Sequence, residues 1–202
     1  MNGPATFILA SNNRGKYREF KEILEPLGFS VVPQAVAGIG FEVNETGETF
    51  EENAFLKASA AASYANFPAI ADDSGLCVSA LNVAPGVHSA RFGGGKDWTD
   101  EQKFRYLLKM LEGAEDRSAK FVCCICLCMP GGQSFTVRGE CPGRILEAPA
   151  GAAGFGYDPV FAPEGYEESF AQLGEAVKNR ISHRARALAA FREEMERRSA
   201  VC

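Results

Sequence analysis

Short apolar runs of strand length alternate along this chain with segments of helical period, and that alternation confines it to α/β folds built on a mixed sheet. Residues 7–10 form an apolar strand that opens into a polar loop, residues 11–16. A helix follows, with Tyr17, Phe20, Ile23 and Leu24 at helical spacing and Pro26 and Gly28 to end it. Val31-Val32 begins a second strand, and residues 35–44 read as loop. Thr49 and Glu52 have capping-box spacing ahead of an alanine-rich helix running to about Ala65. Residues 68–71 predict a strand that stops at Asp72-Asp73. Thr99 and Gln102 repeat the capping-box spacing for a helix ending near Gly113. The apolar run 121–129, a Pro130-Gly131-Gly132 turn and residues 134–140 read as a β-hairpin. A glycine-rich loop at residues 154–158 and a helix over residues 182–198 complete the chain.

The 202 residues are 46% hydrophobic, enough to build one substantial domain or two closely joined lobes, and no repeat or long linker separates autonomous parts. A net charge of −5 excludes a surface made to coat nucleic acid, which needs dense Lys and Arg. It leaves room for a small polyanion, because a few lysines in a cleft can set a local potential opposite to the global one. No apolar run approaches a membrane span. Met1-Asn2-Gly3-Pro4-Ala5 has no basic segment ahead of an apolar one, so no secretory signal is expected and a cytoplasmic location is.

Seven cysteines invite a metal or disulfide reading. Cys123, Cys124, Cys126 and Cys128 share one apolar run, where a strand would turn Cys124, Cys126 and Cys128 to one face and Cys123 to the other. Cys123 and Cys126 make a CxxC pair with no second pair after it, and the count is odd. They are read as buried free thiols in a reducing compartment.

Three constellations carry chemistry. Ser11-Asn12-Asn13-Arg14-Gly15-Lys16 lies between a strand and a helix, where free backbone N–H groups and the helix dipole favour an anion. A Walker loop is excluded, because the upstream glycine is absent and Tyr17 replaces the Ser or Thr that would bind Mg²⁺. Taken alone, the loop is equally well a plain strand–helix turn. Glu45-Thr46-Gly47 precedes the alanine-rich helix, on which Asn53 and Lys57 share a face; Glu52 is assigned to capping. Asp72-Asp73-Ser74 follows a buried strand, where a turn needs only one acid; paired carboxylates at a strand end are a common means of holding Mg²⁺. Finally, Phe155 and Tyr157 in a glycine-flanked loop offer faces for a base to stack on, or simply pack the loop. Lys178, Ser182, His183 and Arg184 concentrate donors before the last helix, and His183 reads as a reader of ligand rather than a core residue.

In order, the blocks SNNRGK, ETGETFEENAFLKA, ADDSGL, PGVHSARF, GFGYDPVF and KNRISHRARAL span residues 11–188. Together they resemble the inosine triphosphate pyrophosphatase (Ham1-like) family, which clears non-canonical purine nucleotides. The resemblance implies a long mixed sheet flanked by helices, in two lobes with the active site in a cleft between them, over a single 1–202 domain. It also implies a homodimer, Mg²⁺ dependence, and conversion of ITP, dITP or XTP to the monophosphate and pyrophosphate. By that resemblance Ser11, Asn12, Asn13, Arg14, Gly15 and Lys16 would hold the triphosphate, with Lys57 beside Lys16 and Asn53 nearby. Glu45, Asp72 and Asp73 would surround Mg²⁺, Asp73 accepting the proton of the attacking water, and Ser74 would touch substrate. Phe155, Gly156, Tyr157, Asp158, Lys178, Ser182, His183 and Arg184 would grip the base and sugar, His183 and Arg184 offering donors to the 6-carbonyl that adenine lacks.

Two rival readings fit the sequence less well. A Maf-type nucleotide pyrophosphatase is disfavoured by the Ser182-His183-Arg184 block. A nucleotide-binding regulator without turnover is disfavoured by the intact acids and lysines, since binding alone needs no general base. The stretch Gly93-Gly94-Gly95-Lys96-Asp97 is expected to be a surface loop, with a lid as the alternative.

Overall fold

The computed structural model describes residues 5–95 and 97–200. The N-terminal reading of Met1 to Pro4, Lys96 of the glycine-rich stretch and the seventh cysteine (Cys202) lie outside them.

Six strands, β1 (Ala5–Leu9), β2 (Phe29–Pro33), β3 (Ala69–Val78), β4 (Ser118–Cys128), β5 (Ser134–Ile145) and β6 (Phe161–Pro163), form one sheet in the order β2-β1-β3-β4-β5-β6. β1 runs parallel to β2 and β3, while β5 and β6 are antiparallel, so the sheet is mixed as expected. The helices are α1 (Arg14–Leu24), α2 (Phe50–Ala65), α3 (Asp100–Met110), the short α4 (Phe170–Leu173) and α5 (Glu175–Ile181), and α6 (His183–Ser199). No helix among the described residues is long and apolar enough to cross a membrane.

Local chemistry sets the element ends. α1 is the crossover that a parallel β1–β2 pair requires, and it gives way to a short 3₁₀ turn containing Pro26 and closed by Gly28. Both anticipated capping boxes are formed, Thr49 with Glu52 and Thr99 with Gln102, and Ser169 with Gln172 adds a third that starts α4. β3 does not stop at the acidic pair. It continues through Asp72, Asp73 and Ser74 to Val78, because the two carboxylates find cationic and amide partners and need no turn to reach water.

Two compact units are formed. The first comprises Met1–Asp73, Cys123–Gly139 and Arg184–Cys202. Its core brings Phe7 and Leu9 of β1, Phe20 and Leu24 of α1, and Ile70 of β3 together with Cys123, Ile125 and Leu127 of β4 and Leu188 and Phe191 of α6. The second comprises Ser74–Val122 and Glu140–His183, with a core of Leu76, Val78, Leu107, Leu111, Phe121, Ile145, Phe161 and Phe170 among others. The alternation expected of the cysteine strand holds: Cys123 faces the first core and Cys124, Cys126 and Cys128 occupy the other face. All four are buried free thiols.

Candidate active site

The first unit gathers the acids and amines predicted to meet phosphate. Lys57, on the third turn of α2, places its Nζ 2.7 Å from Glu45 Oε1 and 2.8 Å from Asp73 Oδ1. Asn53, one turn earlier and fully buried, donates to Asp73 Oδ2 at 3.4 Å and accepts from the Gly47 amide at 2.8 Å. Gly47 must be glycine here, because a Cβ would stand 2.7 Å from Glu52 Cβ and 2.8 Å from Asn53 Oδ1. That close approach fastens the loop carrying Glu45 to the start of α2. One position before Asp73, Asp72 Oδ2 lies 3.1 Å from Lys16 Nζ and 3.1 Å from the Arg184 guanidinium. Arg184 also pairs with Glu19 of α1.

Burial works against ionisation of Asp72, but Lys16, Arg184 and Lys57 outweigh it and hold the carboxyl well below the usual carboxylate range. At Asp73 the balance goes the other way: burial pushes its carboxyl up despite Lys57 and Lys16. Lys57 is also desolvated, yet Asp73, Asp72 and Glu45 together raise its pKa and keep it protonated. Neighbouring acids in one strand are thus shifted in opposite directions, Asp72 down and Asp73 up.

Among the described residues no three His, Cys, Asp or Glu side chains converge to hold a metal ion by themselves. The donors nonetheless suit Mg²⁺, a hard cation that is bound through one or two carboxylates plus phosphate oxygens and water. Glu45 and Asp73 supply two carboxylate oxygens within hydrogen-bond reach of a single ammonium.

The 11–16 loop is organised on itself. The Asn13 side chain caps α1 by accepting the Lys16 amide at 3.0 Å, and Ser11 Oγ accepts the Asn13 amide at 3.2 Å. Asn12 Oδ1 takes a hydrogen bond from Gln34 Nε2, while the Arg14 side chain is exposed and Gly15 is half-buried. Lys16 alone of the six reaches an acid of the cluster.

In the second unit, Asp158 organises the loop expected at the base. Its Oδ2 accepts the Phe155 amide at 2.9 Å and the Lys178 ammonium at 2.6 Å, and that ammonium stands 4.2 Å from the centre of the Phe155 ring. Gly154 has φ +81°, and a Cβ there would come within 2.2 Å of Asp158 Oδ2. The Gly156 amide is held by Asp100. Phe155 is half-buried.

Three expectations need correction. Tyr157 is not a stacking surface: its ring is buried and its hydroxyl donates to the Ser89 carbonyl at 2.9 Å. His183 is a core residue, stacked on Phe121 with ring centres 4.7 Å apart. Arg184 is not a free donor: it belongs to the first unit, 1% exposed, paired with Glu19 and Asp72. Ser182 is buried at the end of α5, where its amide donates to the Lys178 carbonyl, and Ser74 is half-buried on β3. Glu19 was missed entirely. Its one available signal was an acid sharing the helical stripe of Lys16, Phe20 and Ile23, where an unpaired carboxylate would be costly.

Set against known proteins, the sequence matches the Ham1 family over residues 7–194. A dITP/XTP pyrophosphatase of Bacillus licheniformis is 48% identical over 183 residues, spanning 90% of this chain and 93% of that protein. Among solved structures, a HAM1 protein from Coxiella burnetii superposes with a TM-score of 0.86 at 40% identity, covering 96% of this chain and 99% of that one. The Staphylococcus aureus Ham1 protein gives a TM-score of 0.84 at 41% identity, over 95% and 98%. This chain belongs to the Ham1 family.

Proposed function

We propose that this protein hydrolyses non-canonical purine nucleoside triphosphates, dITP, ITP and XTP, to the monophosphate and pyrophosphate. Relatives such as that of Bacillus licheniformis carry the name dITP/XTP pyrophosphatase. The observation that carries the reading on this chain is the Glu45–Lys57–Asp73 arrangement, one ammonium shared by two carboxylates beside the charged Asp72–Lys16 pair.

Water attacks the α-phosphorus in line, and pyrophosphate leaves. Such transfers rest on positioning and charge neutralisation more than on covalent catalysis. Asp73, its orientation fixed by Asn53, accepts the proton of that water. Lys16 and Lys57 exchange their carboxylate partners for phosphate oxygens and so neutralise the charge that accumulates on the leaving group. Glu45 and Asp73, with Asp72 adjacent, would hold Mg²⁺, which when bound supplies further neutralisation of the phosphate oxygens. Phe155 offers the base a face to stack on, and Asp158 and Lys178 keep its loop in place. For His183 and Arg184 to read the 6-carbonyl, both would have to leave their present partners. The proposal includes a homodimer and a cytoplasmic location.

The test is a Mg²⁺-dependent assay of ITP, dITP, XTP, GTP and ATP with the phosphate product identified. Pyrophosphate from the first three, with ATP and GTP poorly used, supports the proposal; equal use of ATP overturns the substrate assignment.

A further inference from the structure

The cysteine-bearing face of β4 takes no part in the chemistry above, yet two of its thiols are in contact. Cys126 and Cys128, two residues apart on one strand face, bring their Sγ atoms to 3.8 Å. Either sulfur can donate to the other, Cys126 Sγ also lies 3.7 Å from the Leu127 carbonyl, and Thr136 of β5 adds a hydrogen bond to Cys126. Both cysteines are buried, at the end of β4 where neighbouring side chains reach solvent. Thr136 is itself exposed, and Met129, next in the chain after Cys128, is 39% exposed.

Side by side, two thiols without a third ligand favour one class of guest. Zinc takes four ligands in its structural sites, and among the described residues no three His, Cys, Asp or Glu side chains converge to hold a metal ion. Cys124, next along the same face, is engaged by the Arg138 guanidinium, and burial and Glu51 push its thiol up, so it is a poor third ligand. Hard cations prefer oxygen. A soft monovalent ion is satisfied by thiolate sulfur and needs no cage of hard donors. We propose that Cys126 and Cys128 form a two-thiolate site for a soft monovalent cation of the copper(I) class, on the face of β4 opposite the first unit's core.

The proton balance supports the geometry. Hydrogen bonds from Cys128 and Thr136 lower Cys126 to about 7, while the same contact pushes Cys128 up. Binding a cation between the two sulfurs displaces their thiol protons. The buried thiol of Cys123 on the other face is pushed up by burial and by Asp72, and stays a neutral core residue.

The test is anaerobic titration of the fully reduced protein with copper(I) held by a colorimetric copper(I) chelator. The site predicts that the protein withdraws one ion per chain. Cys126→Ser and Cys128→Ser should each lose that retention, and Cys77→Ser should keep it. Because either variant could perturb the fold, the wild-type protein supplies an independent readout. Bound copper(I) should protect Cys126 and Cys128, and not Cys77, from alkylation in peptide mapping. Failure to take copper(I) from the chelator, or protection of other cysteines in place of this pair, overturns the proposal.

Discussion

Asp73 serves two ends that pull against each other, holding Lys57 in the folded protein and accepting a proton during turnover. Replacing it with Asn keeps the volume and removes the base together with the charge paired to Lys57. Turnover of dITP by Asp73→Asn is expected to fall by about 10²- to 10⁴-fold, with an unchanged circular dichroism spectrum; near-normal kcat would remove Asp73 from the mechanism. Arg184 makes a different prediction. Its side chain is buried between Glu19 and Asp72, and deleting one partner of a buried charged group costs about 3–5 kcal/mol. Arg184→Ala should lose that much stability in urea unfolding. If stability falls while the ITP-to-ATP preference is unchanged, Arg184 supports Asp72 and does not read the base. The acidic pair stood out in the sequence because two adjacent carboxylates served no packing need. The Glu19–Arg184 pair did not, because its members lie 165 residues apart and nothing local to either one names the other.

At the scale of elements, the site depends on how loops are fastened to helix starts. The capping box at Thr49 and Glu52 begins α2, and Gly47 lets the preceding loop press against that first turn. Gly47→Ala forces a Cβ into Glu52 and Asn53, an overpacking that costs about 1–3 kcal/mol. The loop should move and carry Glu45 off Lys57, so kcat should fall while urea unfolding shows a loss of that size. Unchanged kinetics in this variant would mean that Glu45 is not held by the loop geometry. Capping pairs, the alternating cysteine strand and the parallel β1–α1–β2 crossover were legible because each is written within a few residues. The end of β3 was misplaced because what keeps Asp72 and Asp73 in the strand comes from α1, α2 and α6. In the glycine-rich loop, composition announced aromatics for stacking but not which ring faces outward. Tertiary contacts decided that, burying Tyr157 against Ser89 and leaving Phe155 half-buried beside the Lys178 ammonium.

For the whole molecule, a chain of net charge −5 is proposed to act on a polyanion. The contradiction is resolved locally, since Lys16 and Lys57 stand among the acids and are already paired, so phosphate displaces carboxylate contacts instead of meeting bare repulsion. The mixed sheet and the family were readable because ordered blocks span most of the chain. The partners of His183 and Arg184 were not, since a donor-rich segment looks the same in sequence whether its donors face ligand or core. The central claim is that water attacks the α-phosphorus. Hydrolysis of dITP in ¹⁸O-water decides it: the label should enter the nucleoside monophosphate and leave pyrophosphate unlabelled. Label in pyrophosphate, or in orthophosphate released from the γ-position, would contradict the account.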